Sequence, residues 1–366
     1  MERIAIAHDY LTQRGGAEKV VLAMARAFPT APIYTLLYEP DSTFPEFADL
    51  DIRVSPLNRV GFFRRHHRAA LPLLALAASR LRVDAEVVIT STSGWAHGFG
   101  TSGARITYCY TPARWLYQTE TYLGSGASLV RRAVIGALAP SLRRWDTRAA
   151  LGAGSYLAIS TAVQERITDT YGLPSDVVPA PYAVDAAGVR TPVAGLAPGF
   201  TLCVSRLLPY KNVDVVVDAF RASPERRLVV VGAGPERDRL AATLPPNVTL
   251  LSDVSDSDLR WLYSECRNLV AASYEDFGLT PIEAAAFGKP AIVLRFGGFL
   301  DTVIEGETGV FFDAPTADAV AAALATAESR SWDAAAIAAS TERFSEARFA
   351  DALRAAVARF EPVGAR

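Results

Sequence analysis

Short apolar runs rich in β-branched residues alternate with segments of helical period along almost the whole chain, the pattern that βαβ units of a parallel sheet produce. The alternation occurs in two series. The first places strands near residues 4–8, 33–37, 87–91, 105–110 and 155–160; the second places them near 201–206, 228–232, 248–251, 269–273, 291–295 and 309–312. Between them, Pro179-Ala-Pro181-Tyr-Ala-Val-Asp185, Pro192 and Pro198 punctuate a stretch of weak periodicity where a hinge is expected. A chain of 366 residues also exceeds the roughly 250 that one core commonly serves. The expected fold class is therefore α/β, with Rossmann-like domains over 1–185 and 186–344. The amphipathic tail, 345–366, is expected to return to the first domain.

Half of the residues are apolar and 21% are charged, so burial can offset chain entropy and extensive disorder is excluded. Cys109, Cys203 and Cys266 are too few for a disulfide framework, and none has a neighbour at metal-ligand spacing. Met1-Glu-Arg leads straight into Ile4, and no apolar run reaches roughly 18 residues. A cytoplasmic location without a signal peptide or membrane span is expected. The net charge of −2 argues against a nucleic-acid partner.

That sum conceals an asymmetry. Up to Gly195 there are 20 basic and 16 acidic residues; beyond it there are 17 and 23. Gly61-Phe-Phe-Arg-Arg-His-His-Arg68, followed by Leu71-Pro-Leu-Leu-Ala-Leu76, combines cations with apolar residues. This composition suits peripheral contact with an anionic membrane face or a lipid-linked ligand. A solvated basic helix packed on its own domain fits the same residues.

Three segments carry chemistry. Glu275-Asp-Phe-Gly-Leu-Thr-Pro-Ile-Glu283 follows a strand and precedes a helix expected to begin near Pro281. The N–H groups of Gly278, Leu279 and Thr280 would form an anion site at the helix start, suited to a diphosphate. Glu283 can accept from ribose hydroxyls and Glu275 from those of a sugar ring, so two acids flanking an anion nest fit a nucleotide sugar. Cys203-Val-Ser-Arg-Leu-Leu-Pro-Tyr-Lys-Asn212 sets Arg206 and Lys211 across a proline turn, a planar fork and a compact charge for phosphate oxygens. Gln13-Arg-Gly-Gly-Ala-Glu-Lys19 places Gly15 and Gly16 before a helix over 20–27, where backbone can approach a phosphate closely. Gly232-Ala-Gly234-Pro235 lacks the third glycine of a dinucleotide fingerprint and reads as a turn.

With these segments together, the chain resembles the family 4 retaining glycosyltransferases, and within them the mannosyltransferase branch acting on bacterial surface glycans. The likeness runs from His8-Asp-Tyr-Leu11 and Gly15-Gly16, through Tyr108-Cys-Tyr-Thr-Pro-Ala-Arg114 and Ser205-Arg-Leu-Leu-Pro-Tyr-Lys211, to Asp301-Thr-Val-Ile-Glu-Gly-Glu-Thr-Gly309. It implies a GT-B fold: two facing Rossmann-like domains with an interdomain cleft. It implies hexosyl transfer, mannosyl from GDP-mannose, to a hydroxyl of a glycan, lipid-linked glycan or small molecule. Arg206 and Lys211 would hold the donor diphosphate with Gly15, Gly16 and the 278–280 backbone. Glu275 would bind the donor sugar and Glu283 the ribose, with Arg206, Lys211 and Glu275 as the catalytic group.

One position departs from the branch, which usually carries histidine where this chain has Tyr110. A phenol shuttles protons poorly at neutral pH. His97, beyond the preceding strand, is a candidate replacement, and His8 and Asp9 at the end of the first strand are comparable ones, so that His8, Asp9, His97 and Tyr110 are the acceptor-side candidates. No cofactor and no metal is expected. Asp256-Ser-Asp258 has the Asp-x-Asp pattern of manganese-dependent transferases, but Ser255 with Asp258 reads as a helix cap. A sugar-nucleotide epimerase or hydrolase and a non-catalytic sugar-nucleotide-binding subunit are alternatives. No residue decides between guanine and uracil.

Overall fold

The computed structural model describes residues 2–119, 129–152, 154–182 and 184–360. Its strands, in chain order, are β1 (Glu2–His8), β2 (Ile33–Thr35), β3 (Ile52–Val54), β4 (Arg82–Val83), β5 (Ala85–Thr92), β6 (Gly100–Thr101), β7 (Ala104–Cys109), β8 (Ser155–Ala158), β9 (Asp176–Val177), β10 (Thr201–Val204), β11 (Leu228–Val231), β12 (Val248–Leu251), β13 (Asn268–Ala271), β14 (Ala291–Leu294) and β15 (Gly309–Phe312). The chain divides into two units, Met1–Pro181 with Glu346–Arg366, and Tyr182–Ser345. Residues 361–366 of the expected tail lie outside the described residues.

The first unit carries a seven-stranded sheet in the order β3-β2-β1-β5-β7-β8-β9, parallel throughout. β4 and β6 form a separate parallel pair. The second unit carries a six-stranded parallel sheet, β12-β11-β10-β13-β14-β15. In each sheet the chain begins centrally, builds to one edge, then returns to the other side of its first strand. Strand order thus reverses between β1 and β5 and again between β10 and β13. Loops leaving the carboxyl ends at such a point part to opposite faces and leave a crevice for a ligand.

Covered on both faces, the inner strands are continuously apolar rather than alternating. β11 and β14 are buried at every residue. The helix Val213–Arg221 lays Val213, Val216, Val217 and Phe220 on the second sheet, the stripe expected of a 3.6-residue period. Truncating Phe220 to alanine is expected to cost about 3–5 kcal/mol. The helix Thr161–Tyr171 shows both boundary signals: Ser160 Oγ accepts from the Val163 N–H at 3.2 Å, and Gly172 ends it at φ 69°. Glu346–Ala358 packs within the first unit. There Glu346 takes a bidentate bond from Arg26 at 2.5 and 2.7 Å, and Phe349 meets the Tyr108 ring edge-on at 5.5 Å.

Some boundaries differ from the sequence reading. β2 ends at Thr35, because Leu36 and Leu37 turn their backbone to Asp9 and Leu11. The first helix begins at Gly16, not 20, and the helix after Glu275 begins at Leu279, two residues before Pro281. No helix among the described residues is long and apolar enough to cross a membrane.

Candidate active site

Two of the predicted segments meet at the carboxyl edge of the second sheet, where strand order reverses. After β10 the chain makes one tight turn, Pro209–Lys211, and Asn212 then adopts a left-handed conformation (φ 51°) before the next helix. Three contacts bind this turn to the loop after β13. Asn212 Nδ2 donates to the Ala272 carbonyl at 2.8 Å, the Tyr274 N–H donates to Tyr210 O at 3.3 Å, and the Lys211 ammonium donates to the Glu275 carboxylate. Glu275 also accepts from Ser273 Oγ at 3.2 Å. Lys211 is buried, with Nζ 5.0 Å from the Tyr210 ring centroid. Burial pushes the nearby Cys203 thiol up to about 12, against the opposing pull of Lys211. Arg206 stays exposed, its guanidinium 3.4 Å from the Tyr210 hydroxyl. A buried ammonium, a half-buried carboxylate and an exposed guanidinium therefore share one sheet edge.

Glycine sets the spacing of these loops. Gly278 caps the helix Leu279–Ala286 at φ 88°, and a Cβ there would lie 2.6 Å from the Phe299 ring. The helix start is consequently bare backbone, with no side-chain cap over the first N–H groups. Five residues into it, Glu283 accepts from the buried Tyr263 hydroxyl at 2.7 Å through Oε2. The Gly232-Ala-Gly234 turn has a packing reason, since a Cβ on Gly232 would collide with the Ser205 carbonyl. A second pair, Gly297-Gly298, escaped the sequence reading. The Gly298 N–H donates to Glu275 O at 3.1 Å, and a Cβ on either glycine would strike the 275–277 backbone. Its signal was available: two glycines just past a strand's carboxyl end, as at Gly15-Gly16.

The first unit arranges its carboxyl edge differently. Gly15 caps the helix Gly16–Ala27 with extended backbone and no side-chain cap. Glu18, 1% exposed, folds back so that a Cβ on Gly15 would lie 2.6 Å from its Oε2. A carboxylate thus already sits at this helix's positive end. Asp9 is buried and spends its carboxylate on the next loop. It accepts from the N–H groups of Ser93, Trp95 and Ala96 at 2.7, 3.1 and 2.7 Å, and from Thr92 Oγ1 at 2.9 Å.

His97 is likewise interior. Its Nδ1 lies 3.3 Å from Thr92 Oγ1, and its Nε2 lies 3.0 Å from Asp146 Oδ1 at angles that do not make a hydrogen bond. The other oxygen of Asp146 accepts from Tyr117 and Tyr171 at 2.7 and 2.8 Å. Tyr110 Oη donates to the Ala17 carbonyl at 3.1 Å and meets Ser91 Oγ at 2.8 Å, and burial pushes its phenol well above the ordinary range. Asp9, His97 and Tyr110, three of the acceptor-side candidates, are thus 3, 2 and 8% exposed. All three are turned inward and hold the loops at residues 15–18 and 92–99.

Among the described residues, no group of three or more His, Cys, Asp or Glu gathers where it could hold a metal ion. Ser255 and Asp258 form the reciprocal capping box their spacing predicted, each bond 3.2 Å.

Comparison with known proteins follows this division. Residues 195–346 match the family model described as glycosyl transferases group 1. Over 140 residues the chain is 30% identical to a GDP-mannose-dependent alpha-(1-6)-phosphatidylinositol monomannoside mannosyltransferase of Mycolicibacterium smegmatis, covering 34% of this chain and 37% of that protein. Over 139 residues it is 34% identical to a D-inositol 3-phosphate glycosyltransferase of Corynebacterium glutamicum, covering 34% and 33%. The matched stretch thus spans about a third of these relatives' length. Among solved structures, Anabaena HepE in complex with UDP is similar with a TM-score of 0.71 at 16% identity, over 98% of this chain and 100% of that one. Sucrose-phosphate synthase from Thermosynechococcus elongatus gives 0.68 at 19% identity, over 98% and 99%. The fold is GT-B.

Proposed function

We propose that the protein transfers a hexosyl group, mannosyl from GDP-mannose, from a nucleotide diphosphate sugar to an acceptor hydroxyl with retention at the anomeric carbon. The observation that carries this reading is the Lys211–Glu275 pair beside Arg206 and the bare start of the helix Leu279–Ala286, all at one reversal of strand order. Arg206, Lys211 and the N–H groups of Gly278, Leu279 and Thr280 take the diphosphate. Glu283 takes the ribose and Glu275 the hydroxyls of the sugar. These cationic groups stabilise the charge that develops as the diphosphate departs, the task a metal ion performs in other transferases. Attack comes from the face the leaving phosphate occupies. The GDP-mannose-dependent M. smegmatis relative supports GDP-mannose, while HepE was solved with UDP.

A melting-temperature panel of GDP, UDP, TDP and ADP sugars tests the donor, because a ligand bound by the folded chain stabilises it by mass action. The largest shift is expected with GDP-mannose. Equal, negligible shifts with all four would overturn the reading.

The acceptor proposed is lipid-linked. Around the basic residues 59–68, Val60, Phe62, Leu73 and Leu76 are exposed by 43, 56, 43 and 50%. Cations beside protruding apolar side chains suit an anionic bilayer surface. Sedimentation with phosphatidylglycerol-containing vesicles, weakened by salt and absent with pure phosphatidylcholine, is the expected result.

A further inference from the structure

The carboxylate of Glu283 is held from behind by a residue that no ligand can touch. Glu283 lies in the helix Leu279–Ala286 and Tyr263 in the helix Asp256–Glu265, and the Tyr263 hydroxyl donates to Glu283 Oε2 at 2.7 Å. Tyr263 is 0% exposed, and its ring stacks on Phe287 at 5.6 Å and 13°. Glu283, by contrast, is half-buried, and among the described residues its carboxylate has no other hydrogen-bond donor. A phenol has one hydrogen and a charged carboxylate only accepts, so the bond has one direction. Burial first, and the Glu283 carboxylate after it, push the Tyr263 phenol well above its ordinary range, which keeps that hydrogen in place. A carboxylate offers about four lone-pair sites, of which Tyr263 takes one. The sites on Oε1 and the second on Oε2 are left for hydroxyls that donate side by side.

We propose that Tyr263 is a positioning residue that makes the donor site selective for ribonucleotides, by fixing the Glu283 carboxylate for the 2′- and 3′-hydroxyls of the ribose. This deepens, and rests on, the assignment of Glu283 to the ribose made above. A free glutamate side chain turns about several bonds and loses that freedom when it grips a ligand. Tyr263 holds the end of the chain before the ligand arrives, so less freedom is lost on binding. Tyr263 is itself fixed, by the Phe287 stack and by a helix whose start is closed by the Ser255–Asp258 capping box. All of these groups belong to the second unit, so the selectivity needs nothing from the first. A nucleotide without its 2′-hydroxyl leaves one of the aligned acceptor positions without a hydrogen, and a site built for that hydrogen rejects it. Tyr263 acts only through Glu283, so its hydroxyl shows in how the ribose is read and not in how the rest of the nucleotide binds.

Pairs of nucleotides that differ by one hydroxyl separate this from a packing role: GDP with 2′-deoxy-GDP, and UDP with 2′-deoxy-UDP, titrated into the full chain by calorimetry. For the pair that binds, the wild type is expected to hold the ribonucleotide about 10- to 100-fold tighter, the range of a hydrogen bond to a charged group. Tyr263→Phe keeps the ring on Phe287 and removes only the hydroxyl. In it the ratio should shrink about 3- to 10-fold through weaker ribonucleotide binding, with the deoxynucleotide unchanged within about twofold. An unchanged ratio, or equal weakening of both nucleotides, overturns the proposal. Glu283→Asp is a second arm that leaves the buried ring alone. Its carboxylate, one methylene shorter, cannot meet Tyr263 and the ribose together, so the ratio should shrink there too; a full ratio overturns the proposal even where Tyr263→Phe fails to fold. The failure of the underlying assignment looks different. A wild type that binds ribo- and deoxynucleotide equally removes Glu283 from the ribose and the proposal with it, and a wild type that binds neither pair overturns the nucleotide-sugar reading as a whole.

Discussion

The two sheets share one topology but finish their carboxyl edges in opposite ways. At the β10/β13 edge the groups are ionic and within reach of solvent: Arg206 is exposed, and the Glu275 side chain is 25% exposed where it meets Lys211. At the β1/β5 edge the groups are mostly neutral, linked by hydrogen bonds and buried, and the one carboxylate in the first strand's loop, Asp9, is consumed by four donors. A diphosphate carries fixed charge that only preorganised cations and N–H groups can match, so the ionic edge is confined to few solutions. A hydroxyl acceptor demands shape and one proton acceptor, which many side-chain sets can supply. The family model matches residues 195–346, the stretch that carries the ionic edge.

Removing Asp146 should break the neutral edge alone, with the largest effect. Its carboxylate is fully buried beside His97, so Asp146→Ala removes the charge next to a buried imidazole and the acceptor of the Tyr117 and Tyr171 hydroxyls. A loss of about 3–5 kcal/mol is expected by denaturant unfolding. GDP affinity of the protein that remains folded should be unchanged. Next in size is the reverse experiment. Lys211→Ala should lower transfer about 10²- to 10³-fold, near 2.7–4 kcal/mol, with little change in unfolding. If Asp146→Ala weakens GDP binding as much as Lys211→Ala does, the two edges are not independent and the comparison fails.

How legible each edge was in the sequence follows from the same contrast. Alternating apolar runs gave both sheets, because parallel strands buried on two faces must be continuous in β11 and β14. The short string Glu275 to Glu283 gave the ionic edge, because charge, glycine and helix start lie within nine residues. The neutral edge was not legible. His8, Ser91 and Tyr110 are 83 and 19 residues apart and become neighbours only through strand register. Asp9 and His97 looked open because a polar residue after a strand commonly faces the crevice. Here the 92–99 loop closes over both, and nothing local in the sequence encodes a loop's direction. Gly297-Gly298 was missed for the converse reason: its role is to let the Glu275 backbone approach, a contact between distant turns.

A smaller change sharpens what the ionic edge does at rest. Lys211 is paired with Glu275, so on the proposed reading an incoming diphosphate would share the ammonium with a carboxylate of its own sign. Glu275→Gln removes that competition. GDP should bind about 5-fold tighter than to the wild type, from about 1 kcal/mol of relieved charge interaction, while transfer falls because the sugar hydroxyls lose their anionic acceptor. Calorimetry with GDP reads the first and nucleoside diphosphate release the second. Weaker GDP binding would show that the carboxylate organises Lys211 for the phosphate rather than withholding it.

The smallest effect separates a cap from a cation site at Asp256-Ser-Asp258. Both readings use the same carboxylates, but they place the energy differently. In the capping box, Ser255 Oγ and the Asp258 carboxylate each satisfy one backbone N–H at the start of the helix Asp256–Glu265, where four donors lack helical partners. Ser255→Ala should therefore cost about 1 kcal/mol of stability. Transfer should stay within twofold, and manganese should change neither quantity. A carboxylate pair serving a catalytic cation predicts the reverse for Asp258→Asn: near-native stability and a transfer rate that manganese restores. The helix start is already closed by its own side chains, so the stability loss is the outcome expected, and it would assign this acidic pair to the fold and not to the ionic edge.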